Sequence, residues 1–203
     1  QVPLGDKEDA KRAIDAAREA FDRGVWSSKT PSERARTLLR VADLLESESS
    51  DFAVLESRNQ GKAIKLARDS DLPFAVDNLR FFAGAIRTLE CTSAAEYVDT
   101  GTSVLRREPI GVVSCITPWN YPLMIGVWKL APALAAGNTV VIKPASYTPL
   151  TTIKLMSLMD KAGVPPGVVN LVTGPGNVVG EEIAGNSKVD MVSVTGDTET
   201  GKR

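Results

Sequence analysis

The amino-acid sequence predicts an α/β fold: a parallel sheet flanked by helices, preceded by a helical N-terminal half. Two observations predict it. In the second half, short apolar runs at residues 110–115, 139–142, 168–172 and 189–194 alternate with helical patterns at 123–136, 149–162 and 178–185. That βαβαβαβ order calls for parallel strands joined by right-handed crossovers. In the first half, apolar residues recur at three- and four-residue intervals, the spacing of one helix face.

The elements follow in chain order. Residues 6–23 place Ala10, Ala13, Ile14, Ala17 and Phe21 on one helical stripe, and residues 32–47 repeat it with Ala35, Leu38, Leu39, Ala42 and Leu45. Thr30-Pro31-Ser32-Glu33 is a start signal for that second helix, with Pro31 in the first turn. A short helix over 52–59 ends near Gly61, and a long one over 69–89 is expected to bend at Pro73. Its stripe Phe74, Leu79, Phe81, Phe82 is assigned to the core. From Tyr97 to Arg107 the pattern turns strand-like.

Parallel strands bring their carboxyl ends to one edge, where open α/β sheets bind ligands. Each strand here leads into residues of chemical interest. The first leads into Ile116, Thr117, Pro118, Trp119 and Asn120, and the second into Lys143, Pro144, Ala145 and Ser146. The third leads into Thr173-Gly174-Pro175-Gly176. The fourth leads through Val194 into Thr195, Gly196, Asp197, Thr198, Glu199, Thr200 and Gly201. Asn120, on a turn stiffened by Pro118 and Pro122, reads either as a helix cap or as an amide donor to an oxygen that gains charge. Four such segments on one edge favour a nucleotide crevice.

Composition limits the alternatives. The chain has 203 residues and a formal net charge of −1, which gives no electrostatic footprint for nucleic acid or an anionic membrane. No apolar run approaches the ~20 residues that span a bilayer. The chain has no histidine, so histidine triads and most zinc sites are excluded. Two cysteines, Cys91 and Cys115, do not make a disulfide framework or a metal site, and a reducing cytoplasm is the default expectation. The first six residues do not read as a signal peptide.

The chain resembles the aldehyde dehydrogenase superfamily. The match rests on Pro-Trp-Asn-Tyr-Pro at 118–122, Trp-Lys-Leu-Ala-Pro-Ala-Leu-Ala-Ala-Gly-Asn at 128–138, Val-Ile-Lys-Pro at 141–144, Gly-Val-Pro-Pro-Gly-Val-Val-Asn at 163–170 and Thr-Gly-Asp-Thr-Glu-Thr-Gly at 195–201. Glu33-Arg34-Ala35, Asn59-Gln60-Gly61-Lys62 and Arg106-Arg107-Glu108-Pro109-Ile110-Gly111 extend it into the first half. Within the superfamily, Phe81-Phe82-Ala83-Gly84, residues 119–124 and Thr195-Gly196-Asp197 look closest to aminoaldehyde and betaine aldehyde dehydrogenases.

The resemblance implies a Rossmann-like sheet and NAD(P)-dependent oxidation of an aldehyde to a carboxylic acid through a thiohemiacetal. It implies an oxyanion amide at Asn120 and a proton-relay lysine at Lys129, for which a structural ion pair is the competing reading. Ile116, Thr117, Pro118 and Trp119 would line the nicotinamide side. Lys143 would hydrogen-bond the adenosine ribose, with Pro144, Ala145 and Ser146 beside it. Gly176 would let backbone approach the cofactor, and the loop Val194 to Gly201 would set amide groups against pyrophosphate. The whole chain, 1–203, reads as a truncated NAD(P)-binding domain, interrupted by an oligomerisation hairpin near 96–109. A homodimer or homotetramer is expected of the full-length protein, with no nucleic-acid or membrane partner.

The chain departs from the family pattern in three places. Ser146 stands where relatives carry a glutamate that repels a 2′-phosphate, so NAD and NADP both stay open. Asp197 puts a carboxylate beside the expected pyrophosphate. The nucleophilic cysteine and general-base glutamate are expected beyond Arg203, Cys115 being read as a buried strand-end filler and Cys91 as a helix end far from the motifs. A non-catalytic nucleotide-binding or assembly module is therefore the alternative reading for the chain alone.

Overall fold

The computed structural model describes residues 2–89, 94–99 and 101–202. Its helices are α1 (Lys7–Asp22), α2 (Pro31–Ser47), α3 (Ser49–Gln60), α4 (Ile64–Leu66), α5 (Leu72–Ala85), α6 (Pro122–Ala135), α7 (Leu150–Lys161), α8 (Glu181–Gly185) and α9 (Thr198–Gly201). The strands are β1 (Ala94–Val98), β2 (Gly101–Val104), β3 (Val112–Ile116), β4 (Thr139–Lys143), β5 (Val169–Leu171) and β6 (Met191–Val194).

β3 to β6 form one parallel sheet in the order β5-β4-β3-β6. The chain builds outward from β3 through β4 to β5, then returns to β6 on the other side of β3. The order therefore reverses between β3 and β6, and that reversal is where open α/β sheets place a ligand.

Strand side chains alternate between two layers. Val113, Cys115, Val140 and Ile142 pack into a core shared with α2, α5, α6 and α7. Val112 and Val141 face the opposite side, against Ala10, Ile14 and Ala17 of α1 and Ile183 of α8. The helical first half is thus part of the sheet's cover: α1 lies on one face, and α2 and α5 stack on α6 over the other. Trp26, fully buried, donates its indole N–H to the Leu134 carbonyl at 2.9 Å.

Local chemistry explains the boundaries. The α2 start signal forms a capping box, Glu33 N–H donating to Thr30 Oγ1 at 3.3 Å and Thr30 N–H to the Glu33 carboxylate at 2.8 Å. Gly61 ends α3 in the left-handed region, at φ 87°. The first sheet strand starts at Val112, later than its apolar run, because Gly111 turns with φ 135°. The Asp190 carboxylate fills the space where a Cβ would stand, accepting from Val112 N–H at 2.7 Å and Arg18 at 2.8 Å.

The helix expected over 69–89 differs from the structure. Helical backbone begins at Ile64 and passes through a π turn (Ala67–Asp71) before α5. Pro73 is the second residue of α5, directly after the π turn, where the regular i→i−4 ladder is already interrupted. Nor is the Phe74–Phe82 stripe all core. Leu79 is buried, but Phe74 and Phe81 are 41% and 62% exposed. Seven residues apart, they share a face of α5 that turns from the core, and Phe74 meets Trp128 edge-on at 5.8 Å.

Before β3 lies an antiparallel hairpin of β1 and β2, with β2 exposed along its length. Cys91 lies outside the described residues. Among those described, no helix is long and apolar enough to cross a membrane.

Candidate functional site

The site builds from the strand ends at the reversal. Beyond β3, Thr117 N–H donates to the Lys143 carbonyl at 3.2 Å, and Thr195 N–H donates to the Ile116 carbonyl at 3.1 Å. These bonds bring the loops after β3, β4 and β6 to one edge. Ile116 and Pro118 are half-buried there, Thr117 is buried, and Trp119 is 58% exposed. Thr117 Oγ1 has no hydrogen-bond partner among the described residues, an orphaned polar atom beneath the edge.

Asn120 is exposed at this edge and does not cap α6; its Oδ1 accepts from Tyr121 N–H at 3.2 Å. With the amide oxygen facing Tyr121 N–H, the NH2 end has no partner among the described residues. The Asn120 carbonyl accepts from Lys62 Nζ at 3.0 Å. Lys62 also binds Asp71 Oδ2 at 2.5 Å, lies 3.8 Å from Glu56 Oε1 and sits 4.4 Å from the centre of the Tyr121 ring. Glu56 is fully buried and receives Leu123 N–H at 3.3 Å and Thr151 Oγ1–H at 2.6 Å. Burial pushes its carboxyl above the ordinary glutamate range, against the hydrogen bonds and Lys62. Asn59 ties the next loop, donating to the Tyr147 carbonyl at 3.1 Å and accepting from Leu150 N–H at 2.9 Å.

Sequence reasoning assigned no role to Glu56, Lys62 or Asp71. The available signal was a glutamate, Glu56, in an apolar helical run, with a lysine directly after a helix-ending glycine; Asp71, preceded by Arg68, Asp69 and Ser70, gave none.

Lys143 is buried at the end of β4, and Nζ donates to the Pro144 carbonyl at 3.1 Å as its one described partner. Burial lowers its pKa. The stem runs beside Gly180, whose Cβ would come 3.7 Å from Lys143 Cδ. A Cβ at Gly176 would meet nothing within 4 Å. Packing within the described chain therefore does not require glycine there, and the space is open to a ligand. Pro144 is buried, Ala145 half-buried and Ser146 exposed. Ser146 Oγ donates to the Gly174 carbonyl at 2.9 Å, joining the loops after β4 and β5. Gly174 itself is required: at φ 143° its Cβ would lie 2.6 Å from the Gly5 carbonyl oxygen. A lysine with spare donors, an orphaned hydroxyl and an open glycine at one sheet edge fit a polyhydroxylated ligand such as a nucleotide ribose.

After β6, residues Val194, Thr195, Gly196, Asp197, Thr198, Glu199 and Gly201 are all exposed. Asp197 caps α9, accepting from Thr200 N–H at 2.9 Å and Thr200 Oγ1–H at 3.0 Å. These bonds hold its carboxyl below the usual range. The free amide cradle expected at this turn is therefore partly filled by the chain's own carboxylate.

Lys129 is half-buried on α6, and its Nζ donates to Ser193 Oγ at 2.8 Å. The ion pair considered for it does not form among the described residues. It lies beside Cys115, and burial lowers its pKa. Cys115 is fully buried and burial pushes its thiol up to about 12, so it is not a thiolate at neutral pH. Disulfide reagents are accordingly expected to label Cys115 only on unfolding. A Cys115→Ser variant that loses a fast-reacting thiol would contradict this.

Comparison with known proteins places the geometry. Residues 1–203 match the model of the aldehyde dehydrogenase family. The chain is 47% identical over 202 residues to the betaine aldehyde dehydrogenase of Bacillus subtilis, covering 100% of this chain and 41% of that protein. It is also 47% identical over 205 residues to human 2-aminomuconic semialdehyde dehydrogenase, again covering 100% of this chain and 41% of the relative. Among solved structures, an indole-3-acetaldehyde dehydrogenase complexed with NAD+ superposes with a TM-score of 0.96 at 41% identity, over 99% of this chain and 40% of that one. The betaine aldehyde dehydrogenase of Staphylococcus aureus, in complex with NAD+, gives the same TM-score of 0.96 at 41% identity, over 99% and 40%. The chain thus spans about 41% of the length of the curated relatives it matches.

Proposed function

Because the chain belongs to the aldehyde dehydrogenase family, we propose that the protein containing it oxidises an aldehyde to a carboxylic acid with NAD+ or NADP+. The observation that carries this is Asn120. Its amide is oriented by Tyr121 N–H, its backbone is held by Lys62, and its NH2 group, at the sheet's reversal point, has no partner among the described residues. When a nucleophile adds to an aldehyde, the carbonyl oxygen gains negative charge. A preorganised donor aimed at that oxygen lowers the barrier by about 3 kcal/mol. The nucleophile, a thiolate in this family, and the general base belong in our reading to residues outside this chain.

The nicotinamide, when bound, supplies the acceptor for the hydride. This chain's residues hold and shield it. Lys143 donates to the ribose hydroxyls, with Pro144, Ala145 and Ser146 forming the adjacent wall and Gly176 leaving backbone room. Ile116, Thr117, Pro118 and Trp119 would line the nicotinamide side, and the loop Val194–Gly201 would line the phosphates. Lys129 contributes to a proton relay. Aminoaldehydes are the substrate class, supported by relatives named for betaine aldehyde and aminoacetaldehyde.

Residues 1–203 act as part of the cofactor-binding domain. The β1–β2 hairpin, with exposed Val104 and Leu105, joins protomers of a dimer or tetramer. A cytoplasmic setting suits the free Cys115 thiol. The chain alone favours a second reading, a nucleotide-binding module without turnover, since Cys115, the one described cysteine, is buried. Reduced cofactor formed by the 203-residue chain with an aldehyde would contradict that reading.

Ser146 sets the cofactor preference in this account. Its hydroxyl carries no charge to repel a 2′-phosphate. Ser146→Glu is expected to raise the NAD+ over NADP+ ratio of kcat/KM by roughly tenfold, about 1.4 kcal/mol. A ratio that stays put or moves toward NADP+ would rule this out.

A further inference from the structure

We infer that Lys62, gripped by Asp71 and Glu56, is a positioning residue that fixes the direction of the Asn120 amide; this rests on the oxyanion role given to Asn120 above. The Lys62 and Glu56 side chains are 6% and 0% exposed, and that of Asp71 is 0%. Burying three ionisable groups is costly, and apolar residues of similar size often serve stability as well or better. Asp71 even leaves Oδ1 without a partner among the described residues. The arrangement is therefore poorly explained as a stability device.

Its geometry points at the turn. The Lys62 ammonium has three donors. One goes to Asp71 Oδ2 and one to the Asn120 carbonyl, with the Tyr121 ring face packed against the charge. Holding that carbonyl fixes the Asn120–Tyr121 peptide plane, and with it the Tyr121 N–H that orients the Asn120 side chain. Glu56 anchors the start of α6 through Leu123 N–H and reaches α7 through Thr151. Asn59, one helical turn further on, clamps the loop after β4. The end of α3 and the segment to Asp71 thus tie together the two loops that carry Asn120 and Ser146. The π turn carries Asp71 as its last residue.

The test uses the full-length enzyme and a double-mutant cycle. Lys62→Met alone strands a buried aspartate, so it is paired with Asp71→Asn, which removes one charge of each sign and leaves the net charge of the cluster unchanged. The paired variant is expected to lower kcat by about tenfold or more, because small misplacements of a catalytic group are costly. The Kd of cofactor, read by fluorescence titration, is expected to stay within about twofold. In an Asn120→Ala background the same pair should change kcat by less than about twofold, the amide it orients being gone. Equal losses in both backgrounds, or an unchanged kcat in the native one, overturn the proposal. Lys62→Arg is the second variant if the pair does not fold. It keeps the charge against Asp71 but replaces a point donor with a fork, and the same background dependence is expected. If Asn120→Ala alone leaves kcat intact, the oxyanion reading itself fails, and this inference with it.

Discussion

Asn120→Ala in the full-length enzyme is expected to lower kcat by about 100-fold or more while the Kd of cofactor moves by less than about twofold. The amide's oxygen is already engaged by Tyr121 N–H, so what alanine removes is a pair of free donors. Those donors matter only where charge develops. The loss should therefore fall on turnover and leave ground-state binding alone. Asn120→Asp tests the same point with the shape kept, since an ionised carboxylate offers acceptors only. It should be at least as damaging as alanine. Pre-steady-state formation of reduced cofactor separates this effect from slow product release. An alanine variant with native turnover would remove Asn120 from the chemistry.

Lys143→Met is expected to weaken cofactor binding by about tenfold or more while leaving the melting temperature unchanged or higher. Lys143 is buried, and taking the charged ammonium out of water disfavours it and lowers its pKa. Nζ has one described partner, the Pro144 carbonyl. Methionine fills a similar volume without that charge, which favours the fold. The lost donors to ribose, at about 1–1.5 kcal/mol each, weaken binding. Binding loss with retained stability is what separates a ligand-holding lysine from a structural one. A variant that melts earlier yet binds cofactor as before would make Lys143 structural.

The sheet was legible because β-branched runs such as Thr139-Val140-Val141-Ile142 are short, apolar and bounded by turn residues. The Thr30–Glu33 cap was legible because capping chemistry is local. Features that depend on distant partners were not. β3 starts only at Val112 because Gly111 turns at φ 135°, a conformation that leaves room for the carboxylate of Asp190, 78 positions beyond Val112. Phe74 and Phe81 have core composition but lie on the outer face of α5, which periodicity alone does not place. Lys62 belongs to a stretch, Asn59-Gln60-Gly61-Lys62, that carries the resemblance but assigns the lysine no role, and that role needs Asp71 and Asn120 brought together from separate elements. The Asp197 cap was not read either, although its signal is local: an aspartate three residues before Thr200 in a glycine-bounded turn is a helix-start signal.

The most direct test of the whole account is the absorbance of reduced cofactor when the full-length protein is mixed with NAD+ or NADP+ and an aminoaldehyde. One equivalent of reduced cofactor is expected per aldehyde converted to acid, strongly diminished by Asn120→Ala. Cofactor that binds but is never reduced, across betaine aldehyde, aminoaldehydes and simple aldehydes, would contradict it.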